Sequence, residues 1–389
     1  MICKIIFWLS FLFILYTYAG YPLLLLIWAR LCPRAIIKVA QSILPTVSVV
    51  IAAKNEENAI GKRIENLIAQ DYPKSRLQII VVSDGSDDNT VAIVARFCEQ
   101  LATAAKQGTA DQPRLDLVNL SRGEGKPNAL NHGLAKAAGE IIVFADARQT
   151  FAPDAIKELV ANFNDPAVGC VSGELFFVND SNSTINMEMG LYWQIEKMVR
   201  KLESHIGSVA GATGAIYAIR RTLYRDLPKA TLLDDVMTPM NIVLQGYRTI
   251  FDRSAKAYDQ VSGNAATEWR RKVRTLAGNW QFITLRPALF FPVLNPIWWR
   301  FLSHKIFRLL VPFGLPVLLI CSLLVPGDFY RAVALIQIVF YLAAAIGWFI
   351  PGTRSLRLVK LSYFFMVLNT AAIAGCWYWA TGRCGAAWK

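Results

Sequence analysis

Four stretches of this chain run for the length of a membrane span without one charged residue, and they limit its fold more than any other feature. They cover residues 5–29, 309–325, 332–353 and 361–382. A helix of about 20 apolar residues crosses a bilayer core. Buried core helices are the other reading, and the number and length of the runs weigh against it. Pro312 and Pro316 are placed to kink the second run. No small-residue cleavage site follows the first run, so it reads as a retained anchor. Arg30, Arg34 and Lys38 follow that run while only Lys4 precedes it, and Arg354, Arg357 and Lys360 separate the last two. Positive charge stays on the cytoplasmic side. Residues 31–304 are therefore expected in the cytosol and the C-terminus outside, as in a multi-pass protein of a bacterial inner membrane.

Composition agrees with a chain of two natures. It is 54% hydrophobic and 18% charged over 389 residues. That is too apolar for a wholly soluble protein and too charged for a wholly embedded one. Disorder, collagen and a disulfide scaffold are excluded. Seven scattered cysteines form no C-x-x-C pair and the three histidines stand far apart, which argues against zinc and for a reducing compartment. The net charge of +13 suits nucleic acid, phosphorylated substrates or an anionic membrane surface.

Between the first two apolar runs, strand and helix patterns alternate. Residues 46–53, 77–83, 115–120 and 140–145 read as strands, and 56–70, 88–105 and 126–138 as helices, with a polar loop at 110–113. Such alternation predicts a parallel sheet covered on both faces, with ligands at the carboxyl ends of the strands. Four regions follow: an anchor over 1–31, an α/β domain over 45–283, an interfacial segment over 284–304, and a membrane region with three helices over 305–389. The interfacial reading rests on the Trp, Phe and Pro content of 286–301, including Trp298 and Trp299. Residues 187–206 carry an apolar helical stripe of Leu191, Ile195, Met198, Leu202 and Ile206, opposite Glu196, Lys197, Arg200, Lys201 and Glu203. That helix belongs either in the core or at a membrane surface.

The polar residues at the strand ends carry the chemistry. The first strand ends in Ala53-Lys54-Asn55-Glu56-Glu57 and the second in Ser83-Asp84-Gly85-Ser86-Asp87-Asp88-Asn89-Thr90. Asx turns and helix caps would explain either run alone. Later come Gly125-Lys126-Pro127-Asn128-Ala129-Leu130-Asn131, Asp146-Ala147-Arg148, Gly211-Ala212-Thr213-Gly214-Ala215-Ile216-Tyr217, Leu233-Asp234-Asp235 and Arg271-Lys272-Val273-Arg274-Thr275, with Gly278 beyond. The lysine run is no Walker A loop, because the spacing of its glycines is wrong and Pro127 follows the lysine.

In that order these runs resemble the membrane-bound family-2 glycosyltransferases, and among them the polysaccharide and poly-N-acetylglucosamine synthase group. The resemblance covers residues 46–282. It implies a GT-A nucleotide-sugar domain, a mixed and mainly parallel sheet with helices on both faces, joined to transmembrane helices. It implies inverting transfer of a sugar from a nucleotide sugar, most readily a UDP-sugar. The acceptor would be lipid-linked or a polysaccharide at the bilayer. Ala53, Asn55, Glu56, Asp84, Ser86, Lys126, Asp146, Arg148, Arg271 and Arg274 would bind the donor. Gly211, Gly214 and Tyr217 would line the acceptor side. Asp235 would be the general base, supported by Asp234, because inverting transfer needs a carboxylate to take the acceptor proton.

Two departures stand out. The family's Asp-x-Asp metal motif keeps Asp146 but has Arg148 as its second member, which weakens the case for Mg²⁺ or Mn²⁺ at Asp146. The Gln-x-x-Arg-Trp motif keeps Arg274 but ends in Thr275, which cannot stack a sugar; Trp269 and Trp280 are the nearby aromatics. Processive synthesis through the spans stays open as an alternative, as does a catalytically weak nucleotide-sugar-binding partner. Nucleic-acid binding would explain the charge but not the order of the motifs.

Overall fold

The computed structural model describes residues 1–38, 44–107, 111–178, 185–260 and 265–384; side chains are described from 194 in the fourth of these and from 267 in the last. The expected loop at 110–113 begins at Ala110, outside the described residues, as does the Leu191 side chain.

Eight strands form one sheet: β1 (Val47–Ala53), β2 (Leu77–Asp84), β3 (Arg114–Leu120), β4 (Ile141–Ala145), β5 (Thr150–Phe151), β6 (Val168–Val178), β7 (Ile216–Arg220) and β8 (Arg248–Gln260). Their order is β3-β2-β1-β4-β7-β6-β8-β5. β3, β2, β1 and β4 are parallel, with Val47 paired to Leu77 on one side and Ile141 on the other. β7 enters antiparallel to both β4 and β6, while β6 and β8 are parallel to each other. This is the mixed, mainly parallel sheet that the sequence predicts.

Every residue of β1 and β2 is buried. Alternate side chains feed two separate cores. Val49, Ile51, Ile79 and Val81 meet helix Ile60–Ile68, and Val50, Ala52, Ile80 and Val82 meet helix Lys126–Lys136. A strand buried on both faces needs an unbroken apolar run rather than an alternating one. The second core continues past the sheet. Phe282, Leu289, Ile297, Phe301, Leu309 and Ala372 belong to it, so one face of the sheet is continuous with the C-terminal helices.

Four helical stretches are long and apolar enough to cross a membrane: Ile2–Leu31, Trp298–Leu324, Asp328–Phe349 and Arg357–Ala380. They leave large apolar side chains such as Leu9, Ile336 and Phe349 exposed, as lipid-facing helices do. The second starts at Trp298, so the end of the 284–304 segment is already helical. Both Pro312 and Pro316 lie inside it.

Helix Ile185–Ile206 packs on the first of these stretches through Val199, Tyr21 and Leu25. It turns Ile195 and Met198 outward and buries Glu196, Arg200 and Glu203. The stripe is thus divided: Leu202 and Ile206 pack on the Tyr21, Leu25 and Val199 cluster, while Ile195 and Met198 are exposed.

Candidate active site

The carboxyl ends of β1, β2 and β4 bring three loops to one edge of the sheet. Two of them are laced together. The Asn55 amide donates to Ser86 Oγ at 3.2 Å, and the Asp87 amide returns a bond to Asn55 Oδ1 at 3.1 Å. The Glu56 amide donates to Thr90 Oγ1 at 2.8 Å and the Glu57 amide to Asp88 Oδ2 at 3.0 Å. Residues 55–59 are thereby held out of the helix, which starts at Ile60 rather than near Glu56.

Asp84 is fully buried at the end of β2. One carboxylate oxygen accepts the Glu124 amide at 2.7 Å and the other the Gly125 amide at 2.9 Å. Gly85 has φ +63°, and a side chain there would strike the backbone of Arg122 and Gly123. Asp84 and Gly85 therefore clamp the loop that leads into Lys126. Asp84 thus acts on the loop through its backbone amides.

Lys126 reaches across to two carboxylates. Its Nζ lies 2.8 Å from Asp146 Oδ1 and 3.3 Å from Asp234 Oδ2. Burial alone would lower the lysine's pKa, but Asp146 and Asp234 raise it well above the ordinary value. Arg148 turns the other way and binds Glu56 through two nitrogens at 2.9 Å, a pair that raises its pKa too.

Asp234 and Asp235 open helix Asp234–Leu244. Asp235 is half-buried, and a Cβ on Gly214 would sit 3.1 Å from its Oδ2. Its backbone carbonyl accepts the Ala212 amide at 2.7 Å, which ties the 211–214 loop to the start of the helix. Burial first, and Asp234 second, push the Asp235 pKa up to about 6. Tyr217 stacks on Phe144 with centroids 4.4 Å apart. Among the described residues its buried hydroxyl has no hydrogen-bond partner, and neither does Asp234 Oδ2. Burial, then Asp234 and Asp235, hold the Tyr217 phenol well above its usual pKa.

Helix Ala265–Leu285 braces this arrangement from outside. Gln281 Oε1 accepts the Leu232 amide at 3.0 Å, and its Nε2 donates to the Ala230 carbonyl at 2.6 Å. A Cβ on Gly278 would lie 2.5 Å from Leu233 Cγ. Gly278 thus lets the helix press on the chain just before the two acids. Arg271 and Arg274 are exposed on that helix and make no ion pair with the site carboxylates. Trp280 is buried and stacks on Trp379 of the last apolar helix at 5.9 Å, so it is no free sugar platform.

The structure thus joins Asn55, Glu56, Ser86 and Arg148 on one side, and Lys126, Asp146, Asp234, Asp235, Gly211, Gly214 and Tyr217 on the other. Ala53 ends β1 beneath them, buried. Sequence reasoning missed Gln281, and it placed Arg200 on a polar face without seeing its bond to Thr213 Oγ1 at 2.7 Å. No local signal points to either contact. A divalent ion does not fit the residues in place: no group of three or more His, Cys, Asp or Glu side chains able to hold one occurs among the described residues. Asp146 is committed to Lys126, and Arg148 stands where a second acid would be.

Two family models match the chain: "Glycosyl transferase family 2" over residues 48–227 and "Glycosyl transferase family group 2" over 141–351. A probable glycosyltransferase, YdaM, of Bacillus subtilis is 31% identical over 251 residues, which is 62% of this chain and 57% of that protein. A poly-beta-1,6-N-acetyl-D-glucosamine synthase of Staphylococcus aureus is 24% identical over 236 residues, 60% of this chain and 54% of that one. The chain thus spans a little over half the length of these curated relatives. Among solved structures, the mannosyltransferase PcManGT from Pyrobaculum calidifontis, in complex with GDP-Man and Mn²⁺, superposes with a TM-score of 0.71. The match covers 97% of this chain and 99% of that one at 22% identity. It shows a shared GT-A fold with appended apolar helices. Because the second family model spans more than half of the chain, and its strand-end motifs stand in the expected order, the chain belongs to family 2 of the glycosyltransferases.

Proposed function

We propose that the protein transfers a sugar, with inversion, from a nucleotide sugar to an acceptor held at the membrane, with Asp235 as the base. The observation that carries this reading is the Asp235 carboxylate itself. It is half-buried beside Gly214, its pKa is raised toward neutrality, and Lys126 with its two acids stands next to it. A base works best when its pKa lies near the working pH. The unpaired Tyr217 hydroxyl suits a hydroxyl of a sugar, since buried polar atoms need partners.

The donor would lie over the strand ends, with its base in the pocket that Asn55, Glu56, Asp84 and Ser86 shape. As the bond to the leaving diphosphate breaks, negative charge grows there. Lys126 and Arg148 are the cations in place to stabilise it, and no step needs a bound ion. Arg271 and Arg274 could join only if the donor reaches their exposed helix face. The GDP-Man complex bears on a nucleotide-linked donor and the poly-N-acetyl-D-glucosamine synthase on a glycan acceptor, the strand-end motifs favour a UDP-sugar, and the four apolar helices bear on a lipid-linked acceptor.

The regions 1–31, 45–283, 284–304 and 305–389 serve this reading as anchor, catalytic domain, interfacial segment and membrane base. Positive charge then orients the catalytic domain to the cytosol of a bacterial inner membrane. A cysteine replacing exposed Asp154 in an otherwise cysteine-free chain should react only after permeabilisation; reaction in intact cells would invert the topology. Incubating the purified protein with a panel of nucleotide sugars and membrane lipid extract tests the activity. One added sugar indicates single transfer, a ladder indicates polymer synthesis, and no product with any donor would reject the reading.

A further inference from the structure

Helix Asp234–Leu244 carries a buried proline in its interior, Pro239. Proline is the residue that a helix interior tolerates least, because it has no N–H to donate and its ring crowds the carbonyl four residues back. Four residues back from Pro239 stands Asp235. In an unbroken helix the Asp235 carbonyl would take the amide of residue 239. Here it takes the amide of Ala212 instead, at 2.7 Å, the short end of the range for such bonds.

The loop that makes this bond is the one that faces the carboxylate. A Cβ on Gly211 would lie 3.6 Å from the Asp235 carbonyl oxygen, and one on Gly214 would lie 3.1 Å from Oδ2. The other side of the loop is tied down through Thr213. Its amide donates to Ser172 Oγ at 2.9 Å and its hydroxyl to the Gly173 carbonyl at 3.0 Å, while Arg200 donates to the same hydroxyl oxygen at 2.7 Å. Residues 211–214 thus hang between β6 and the first turn of the helix, against both the carbonyl and the carboxylate of Asp235. Thr249 Oγ1 in β8 donates to the Pro239 carbonyl at 3.3 Å, which holds the proline itself to the sheet.

We propose that Pro239 is a positioning residue for the transfer: by leaving the Asp235 carbonyl free, it lets the Ala212 amide fix the 211–214 loop against the base. This rests on the reading of Asp235 as the base and says how its place beside the acceptor is set. Pro239→Ala would supply an N–H aimed at that carbonyl from within the helix, in competition with Ala212. The loop would then loosen from Asp235 while the helix itself gained a bond. A slower reaction in a protein no less stable is what separates this role from simple packing.

The test compares the full chain in a neutral maltoside detergent in three forms. These are the parent, Pro239→Ala, and a chain in which lactic acid replaces Pro239, so that an ester oxygen stands where the alanine variant has its N–H. The readouts are kcat for transfer to membrane lipid extract, KM for the nucleotide sugar, UDP affinity, thermal unfolding and hydrogen exchange at the Ala212 amide. Pro239→Ala should lower kcat by about 10–10²-fold, the scale of a small displacement at a reacting centre, and should speed exchange at Ala212. Its KM and UDP affinity should match the parent's, and its unfolding temperature should be no lower. The ester chain should keep parental kcat and exchange, since it lacks the N–H as proline does. Parental kcat and exchange in Pro239→Ala would overturn the proposal, because the carbonyl would then serve both donors. An ester chain as slow as Pro239→Ala would overturn it too, because the ring would then matter and the absent N–H would not. A parent that transfers no sugar would reject the transferase reading instead, and exchange at Ala212 would still decide whether Pro239 frees the carbonyl.

Discussion

Lys126 and Asp146 meet at 2.8 Å, so the one acid that survives from the metal motif is already neutralised by a lysine from another loop. The second member of that motif, Arg148, is bound to Glu56. A resident divalent ion would have to displace Lys126 from both Asp146 and Asp234. The parent protein should therefore show no stoichiometric Mn²⁺ site in equilibrium dialysis without nucleotide. A tight site lost in Asp146→Asn would contradict this. Lys126→Met should lower transfer by about 10²-fold, the scale of removing one preorganised charge from a reacting centre; an unchanged rate would remove the lysine from the mechanism.

Asp84 should act through the loop that it holds. Asp84→Ala leaves the Glu124 and Gly125 amides without an acceptor, at about 1–3 kcal/mol for each buried donor. Thermal unfolding should shift down, and UDP affinity should fall with it because the Lys126 loop is released. A variant of unchanged stability that no longer binds UDP would mean that Asp84 touches the nucleoside directly.

Gly278 should not tolerate a branched side chain. Gly278→Val puts carbon into Leu233, just ahead of the two acids. Overpacking of this kind costs about 1–3 kcal/mol. Small displacements of catalytic groups can cost about 10²-fold in rate. The expected result is a transfer rate that falls more than the loss of stability explains, with UDP affinity preserved. Full activity in Gly278→Val would show that helix Ala265–Leu285 does not set the position of Asp235.

The pH dependence follows from Asp235. Its folded pKa is raised from 3.8 to about 6, mainly by burial and then by Asp234. The charged form is the disfavoured one, so ionising Asp235 lowers stability between pH about 4 and 6, and that contribution is constant above. Activity runs the opposite way, because only the ionised carboxylate accepts a proton. The transfer rate should rise with pH through a limb centred near 6 and then level off. A limb centred near 4 would mean that Asp235 is not held in the environment described here.

The sheet was legible because β1, β2 and β4 are apolar on both faces, and only a doubly covered parallel sheet asks for that. The strand-end motifs were legible because polar residues that interrupt such runs must lie at the sheet's edge. Helix starts were less so. The expected helix begins at Glu56, yet the Glu56 and Glu57 amides serve Thr90 and Asp88 on the neighbouring loop. Glu203 stands on the polar face of helix Ile185–Ile206, yet it is buried against His304, a hundred residues away in sequence. Gln281 likewise reaches back to Ala230 and Leu232 from another helix, and Arg200 leaves its helix for Thr213. Nothing in the local pattern marks a side chain whose partner is supplied by a distant helix.

The central claim is that Asp235 takes the acceptor proton, and Asp235→Asn tests it most directly. Asparagine keeps the side chain's shape at the start of helix Asp234–Leu244 and removes only the basicity. The measurement is the initial transfer rate of Asp235→Asn beside its UDP affinity, with Asp234→Asn as the comparison. The account predicts near-parental UDP affinity and a rate lower by about 10²–10⁴-fold, with a milder loss in Asp234→Asn. Near-parental transfer by Asp235→Asn would contradict it.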